Sequence, residues 1–137
     1  MEALFKEYEG LGEQATESKR RIADQIIEML TVHAEMEETL CYPRFKDAFN
    51  QGDDVMVEEA LVEHEGAKRV MSEIKVLEAD TPEFAAHMKV LMEEIKHHVK
   101  EEEGRLLPKA EKEISEDERA AMGEEMAEFK RTHEVAE

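Results

Sequence analysis

Two stretches of the chain share one pattern. HAEMEETLCYP at 33–43 and HVKEEEGRLLP at 98–108 both read His, three residues, Glu, Glu, four residues, Pro, with the copies 65 positions apart. On a helix, at about 100° per residue, a Glu four positions after a His lies only about 40° round from it, one turn on. His33 with Glu37, and His98 with Glu102, therefore each project from one face. Glu38 and Glu103 lie about 140° round from those histidines and are expected to point outward.

These side chains could do metal chemistry. His33, Glu37, His64, His98 and Glu102 all fall on the apolar stripes of their segments, where burial is expected. A buried ionised carboxylate is costly unless an opposite charge compensates it. A divalent or trivalent cation does so, and neutral imidazoles are good ligands for iron, zinc and similar ions. Two carboxylates facing each other across a bundle can bridge two such ions. A lone His64, or one His-x-x-x-Glu pair in a Glu-rich helix, would be a weak signal. The duplicated pattern with a histidine on the intervening segment makes a metal site the expectation.

Helices must position these groups. The first segment runs from about 2 to 11 and stops at Gly10 and Gly12. The second starts near Thr16 and runs to about Phe49, with Ile22, Ile26, Met29, His33, Glu37 and Leu40 on its inner stripe. Asn50-Gln51-Gly52 ends it, and Asp53 or Asp54 caps a third helix that extends to about Ala79. Its stripe carries Val57, Leu61, His64, Ala67, Met71 and Ile74. Thr81-Pro82 opens a fourth helix, with Phe84, Met88, Leu91, Ile95, His98, Glu102 and Leu106 inward, ending near Glu113. Ser115 and Glu118 form a capping box for a fifth helix over about 116–130, and the last residues are expected to fray. Short connections make sequential helices antiparallel neighbours. The expected fold is all-α: an up-down-up-down four-helix bundle with a short first helix and an additional C-terminal helix, in a single domain spanning 1–137. Pro43 and Pro108 are expected to kink or loosen their helices.

Composition narrows the function classes. The net charge of −18 repels nucleic acid and anionic membranes, so neither is an expected partner. Cys41 is the only cysteine, which rules out an intrachain disulfide and suits a reducing compartment; it is expected to be a small buried hydrophobe. The N-terminus MEALFKEYEG has no signal-peptide pattern, and no apolar run reaches membrane-spanning length, so the expected location is the cytoplasm. Of the other histidines, His87 and His97 are expected at the boundary of the core, and His133 in the tail.

The sequence resembles the hemerythrin-like, or HHE cation-binding, domains. LFKEYEGLGE, HAEMEETLCYP, VEHEGAKRV and HHVKEEEGRLLP carry the likeness, which covers nearly the whole chain. The order His-then-Glu at four separates it from ferritin-like bundles, which use Glu-x-x-His. The resemblance implies two non-haem irons held by His33, Glu37, His64, His98 and Glu102, with Glu37 and Glu102 bridging. The family's first-helix histidine has no counterpart, because no residue from Met1 to Val32 is a histidine. An asymmetric site follows: a metal near His64 and His98 that holds well, and one near His33 that is weak, solvent-ligated or absent, so that the chain holds two irons, or one where the His33 metal is absent. The shortened first helix implies a monomer or weak homodimer.

The resemblance implies binding or sensing of O2 or a related small oxidant, NO or peroxide. Two further readings stand beside it. One is a di-iron enzyme that reduces peroxide, oxidises ferrous iron or repairs iron–sulfur clusters. The other is a helical interaction domain with a degenerate metal site.

Overall fold

A computed structural model describes residues 2–12, 15–49 and 52–133. Every regular element among them is helical: α1 (Glu2–Glu9), α2 (Thr16–Met36), α3 (Tyr42–Ala48), α4 (Val55–Val76), α5 (Pro82–Glu101), α6 (Leu107–Glu113) and α7 (Glu116–Thr132). A π-helical turn over Glu37–Cys41 joins α2 to α3, and another over Glu102–Leu106 joins α5 to α6. Each joined pair is one continuous helical run, so five helices form a bundle with the fifth added at the C-terminus.

The helix ends have local causes. Thr81 accepts a hydrogen bond from the Phe84 N–H at 3.3 Å, and Ser115 accepts one from the Glu118 N–H at 3.2 Å. Both are N-caps that satisfy an otherwise unpaired donor. Asp54 holds the N-cap position of α4 without a capping bond; its carboxylate accepts from the Gly52 N–H instead. Gly52 has φ +104°, which suits a residue without Cβ in the turn before α4. Asn50 and Gln51, expected to end the second helix, lie outside the described residues, as do the last four residues, 134–137. The Arg20 guanidinium donates to the Ile74 and Leu77 carbonyls at the end of α4 and lies over the Phe84 ring. It thereby satisfies C-terminal carbonyls that a helix leaves open.

Two apolar clusters fill the bundle. The first gathers Leu4, Phe5, Ile22, Ile26, Leu30, Met71, Ile74, Phe84, Met88 and Leu91, where α1, α2, α4 and α5 meet. The second gathers Tyr42, Phe45, Phe49, Val57, Leu106, Ile114 and Met122, where α3, α4, α6 and α7 meet. Between them, on α2, α4, α5 and the two π turns, falls the layer that holds His33, Glu37, His64, His98 and Glu102.

The two prolines loosen their helices through the π turns. Pro43 lacks the N–H that would bond to residue 39, and its ring crowds that carbonyl. The chain takes in one extra residue, and the Tyr42 N–H reaches back five residues to the Glu37 carbonyl. Pro108 produces the same turn, with the Leu107 N–H on the Glu102 carbonyl. The inner stripe shifts as a consequence. Leu40, expected inside, is half-buried, while Cys41 and Tyr42 take the core side.

Phe84 is fully buried in the first cluster. Phe84→Ala is expected to cost about 3–5 kcal/mol by leaving a cavity there. Urea unfolding should show it as a lower midpoint at unchanged slope.

Candidate metal centre

Glu37 occupies the middle of the site. It opens the first π turn, is 3% exposed, and presents Oε1 to three imidazoles. His33 Nε2 lies 3.6 Å away, His64 Nε2 3.2 Å and His98 Nε2 3.8 Å. Despite these approaches, Oε1 is buried without a hydrogen-bond partner. Buried polar atoms are almost always paired, so an orphaned carboxylate oxygen ringed by imidazole nitrogens marks a place for a cation. His98 Nε2 also lies 2.8 Å from Glu102 Oε2, and 3.2 Å from His64 Nε2.

The donors fall into two overlapping groups. Glu37, His64 and His98 form one, and His33, Glu37 and Glu102 the other; within each group the donor atoms lie within 4.8 Å of one another. Glu37 belongs to both. All five residues singled out from the sequence are thus brought together. Oxygen and imidazole donors in this proportion suit a non-haem divalent or trivalent ion such as iron.

Carboxylates behind the histidines fix their orientation. His64 Nδ1 is 2.8 Å from Glu38 Oε2, and His98 Nδ1 is 3.0 Å from Glu63 Oε1. A ring nitrogen facing a carboxylate carries its proton and donates it. Each Nε2 is thereby turned inward toward the other donors, which is the arrangement that supports metal-bound histidines. Lys68 donates to the other oxygen of Glu38 at 2.9 Å. The expectation that Glu38 points outward is corrected here. The π turn widens the helix just at 37–41, and Glu38 swings against α4. Glu103 is exposed, as expected.

The electrostatics show a crowd of charges awaiting a counterion. Burial pushes the Glu37 carboxyl up, but His33, His64 and His98 outweigh burial and hold it below the ordinary carboxylate range. Burial opposes the His98 imidazolium, yet Glu102, Glu37 and Glu63 raise it to about 11. Burial raises Glu102 to about 7; His98 opposes the rise and the Glu37 charge adds to it. Burial and then the Glu37 and Glu102 charges push the Tyr42 phenol far up.

The two sides of the layer differ in access. His64 and His98 are buried, whereas the His33 side chain is 41% exposed. A cavity of about 560 Å³ opens at the site, lined by Leu30, Ala34, Ile95, Val99, Leu107 and Met126 among others. His97 is exposed but approaches Glu63 at 3.5 Å, and His87 is a boundary residue paired with Glu73. His133 stacks on Phe129, away from the site. Cys41 is buried beside Met126, and burial pushes its thiol up to about 12, so it is an inert apolar side chain.

Reasoning from sequence missed Glu38, Glu63 and Tyr42. Glu38 stands in the repeat, but so does Glu103, which faces water, and Glu63 is one of 36 acidic residues with no distinguishing signal. Tyr42 faces the site only because of the π turn, although Pro43 beside it was a usable sign that α-helical register would fail there.

Comparison with known proteins agrees with this geometry. The hemerythrin HHE cation binding domain family matches residues 1–110. An uncharacterized hemerythrin-like protein of Schizosaccharomyces pombe is 30% identical over 112 residues, covering 82% of this chain and 54% of that one. A DNA nickase of Nostoc is 35% identical over 82 residues, covering 60% of this chain and 22% of that one. The chain therefore spans only part of either relative. No solved structure matches it significantly. With a bundle of this form, a duplicated His-x-x-x-Glu pair and a family match over most of its length, the chain belongs to the hemerythrin HHE cation binding domain family.

Proposed function

We propose that this chain binds two non-haem irons and meets O2 or a related small oxidant, NO or peroxide, at the pair. His64 and His98 hold one ion, His33 holds the other, and Glu37 and Glu102 bridge them. The observation that carries this reading is the buried, unpaired Glu37 oxygen shared by both donor groups. Iron bound there would supply electrons and an open coordination position for a small oxidant. The protein's own part is to orient the donors through Glu38 and Glu63 and to keep bulk water out with the two apolar clusters.

The His33 side has one imidazole where the other has two, and His33 is the more exposed, so it is the weaker ion's place and the route of entry. A cavity of about 560 Å³ is large for a diatomic ligand but would take the carbon body of an organic peroxide, and this favours a second reading in which the pair turns over such a peroxide. Stoichiometric, reversible O2 uptake supports a carrier or sensor; sustained peroxide consumption supports the enzyme. Nucleic acid does not fit the −18 charge as a ligand, and no described helix is long and apolar enough to cross a membrane.

Anaerobic loading followed by desalting is expected to leave about two irons per chain, as in other carboxylate-bridged bundles. Glu37→Ala should leave one iron or fewer by elemental analysis. Iron that raises neither the melting temperature nor its own retention would overturn the proposal, since a ligand of the native state alone must stabilise it.

Glu38→Ala is expected to weaken iron binding by about 10–100-fold, because it frees the His64 ring, whereas Glu103→Ala should bind as the wild type does. Competition with a chelator measures both.

Iron must also displace the proton that His98 keeps up to about pH 11 in the metal-free protein. The apparent affinity should therefore fall with falling pH, by up to about tenfold per pH unit for each proton expelled. Calorimetry in buffers of different ionisation enthalpy should register proton release on loading.

A further inference from the structure

Tyr42 is 1% exposed, yet its hydroxyl does not rest among apolar neighbours. The phenol Oη lies 3.3 Å from His64 Nε2 and 3.5 Å from His98 Nε2, and those nitrogens are 3.2 Å apart. The three atoms make a nearly equilateral triangle. Both rings spend their Nδ1–H on Glu38 and Glu63, so each turns its Nε2 toward the phenol, the atom that becomes a metal donor once its proton is expelled. One hydroxyl carries one proton and can donate to only one of them. The two nitrogens also face each other at hydrogen-bond distance, close enough for one cation to be shared between them. Donors bound at about 2.1 Å and at right angles around one ion stand about 3.0 Å apart, close to the edges seen here.

The internal repeat sharpens the point. Tyr42 and Leu107 occupy the same place in the two copies, each closing its π turn on the carbonyl of Glu37 or Glu102. Leu107 is half-exposed and lines the cavity, while Tyr42 is buried against the His64–His98 pair. The chain has two tyrosines, and the other, Tyr8, lies in the first cluster against Phe84.

We propose that Tyr42 is a phenolate ligand of the ferric ion held by His64 and His98. Phenolate oxygen is a hard, anionic donor suited to a trivalent ion. One iron–oxygen bond forms, one O–H bond breaks, the proton leaves to solvent, and no electron moves. With that position filled, incoming oxidant is directed to the His33 side. The inference rests on the iron-binding reading above.

The test is spectroscopic. The chain is loaded anaerobically with iron(II), desalted, assayed for iron, and oxidised with ferricyanide. Resonance Raman and visible absorption are then recorded for the wild type, Tyr42→Phe and Tyr8→Phe. A phenolate-to-iron charge-transfer band with tyrosine ring modes is expected in the wild type and Tyr8→Phe, and is expected to vanish in Tyr42→Phe at equal iron content. Ring-deuterated tyrosine in the wild type should shift those modes, and this decides the matter even if Tyr42→Phe folds poorly. Iron-loaded wild type without phenolate modes overturns the ligand while leaving iron binding intact. Wild type that retains no iron at the assay step overturns the iron-binding reading, and the ligand with it.

Discussion

A carboxylate held in the interior between two apolar clusters is the constraint on which this structure turns. Glu37 is as buried as the leucines and isoleucines around it, and one of its oxygens has no hydrogen-bond partner. Such a group is strongly unfavourable unless a cation is shared with it. Neighbouring features answer that cost. Three imidazoles converge on the orphan oxygen, and two of them are oriented from behind by Glu38 and Glu63. Lys68 in turn compensates Glu38. The result is a graded arrangement, with donors turned inward and balancing charges toward solvent.

The π turns are part of the same solution. In each copy of the repeat, the residue expected to bridge begins the turn, and a proline follows the turn's end. A missing N–H and a crowded carbonyl force the extra residue. That extra residue brings Glu38 against His64 and Tyr42 into the core, neither of which regular α-helical register would do. The proline therefore acts on the site's geometry from outside it.

Symmetry in sequence does not become symmetry in the site. Glu37 is more deeply buried than Glu102, and His98 is buried where its counterpart His33 is half-exposed. A phenol stands against the His64–His98 pair, whereas its counterpart Leu107 lines the cavity. α7 contributes to the difference. It lies beyond the family-matched residues 1–110, places Met122 in the second cluster, sets Met126 beside Cys41, and pairs Glu125 with Arg44. It is both a wall of the cavity and a lid on the second core.

By itself the sequence determined the helical class, the cap positions at Thr81 and Ser115, and the identity of the five converging residues. Those follow from local physics. A 3.6-residue period selects a face, a hydroxyl before a helix caps it, and a His and Glu one turn apart must project together. The tertiary structure alone decided which carboxylates support which imidazoles, that Tyr42 joins the site, and that His33 is the most exposed of the three imidazoles. Glu38 on the second helical run meets His64 on the third, and Glu63 on the third meets His98 on the fourth. Such pairings depend on the rotation and height of separate helices, which core packing and the π turns set. In a chain with 36 acidic residues, no local pattern distinguishes the two that finish behind the imidazoles from those that face water.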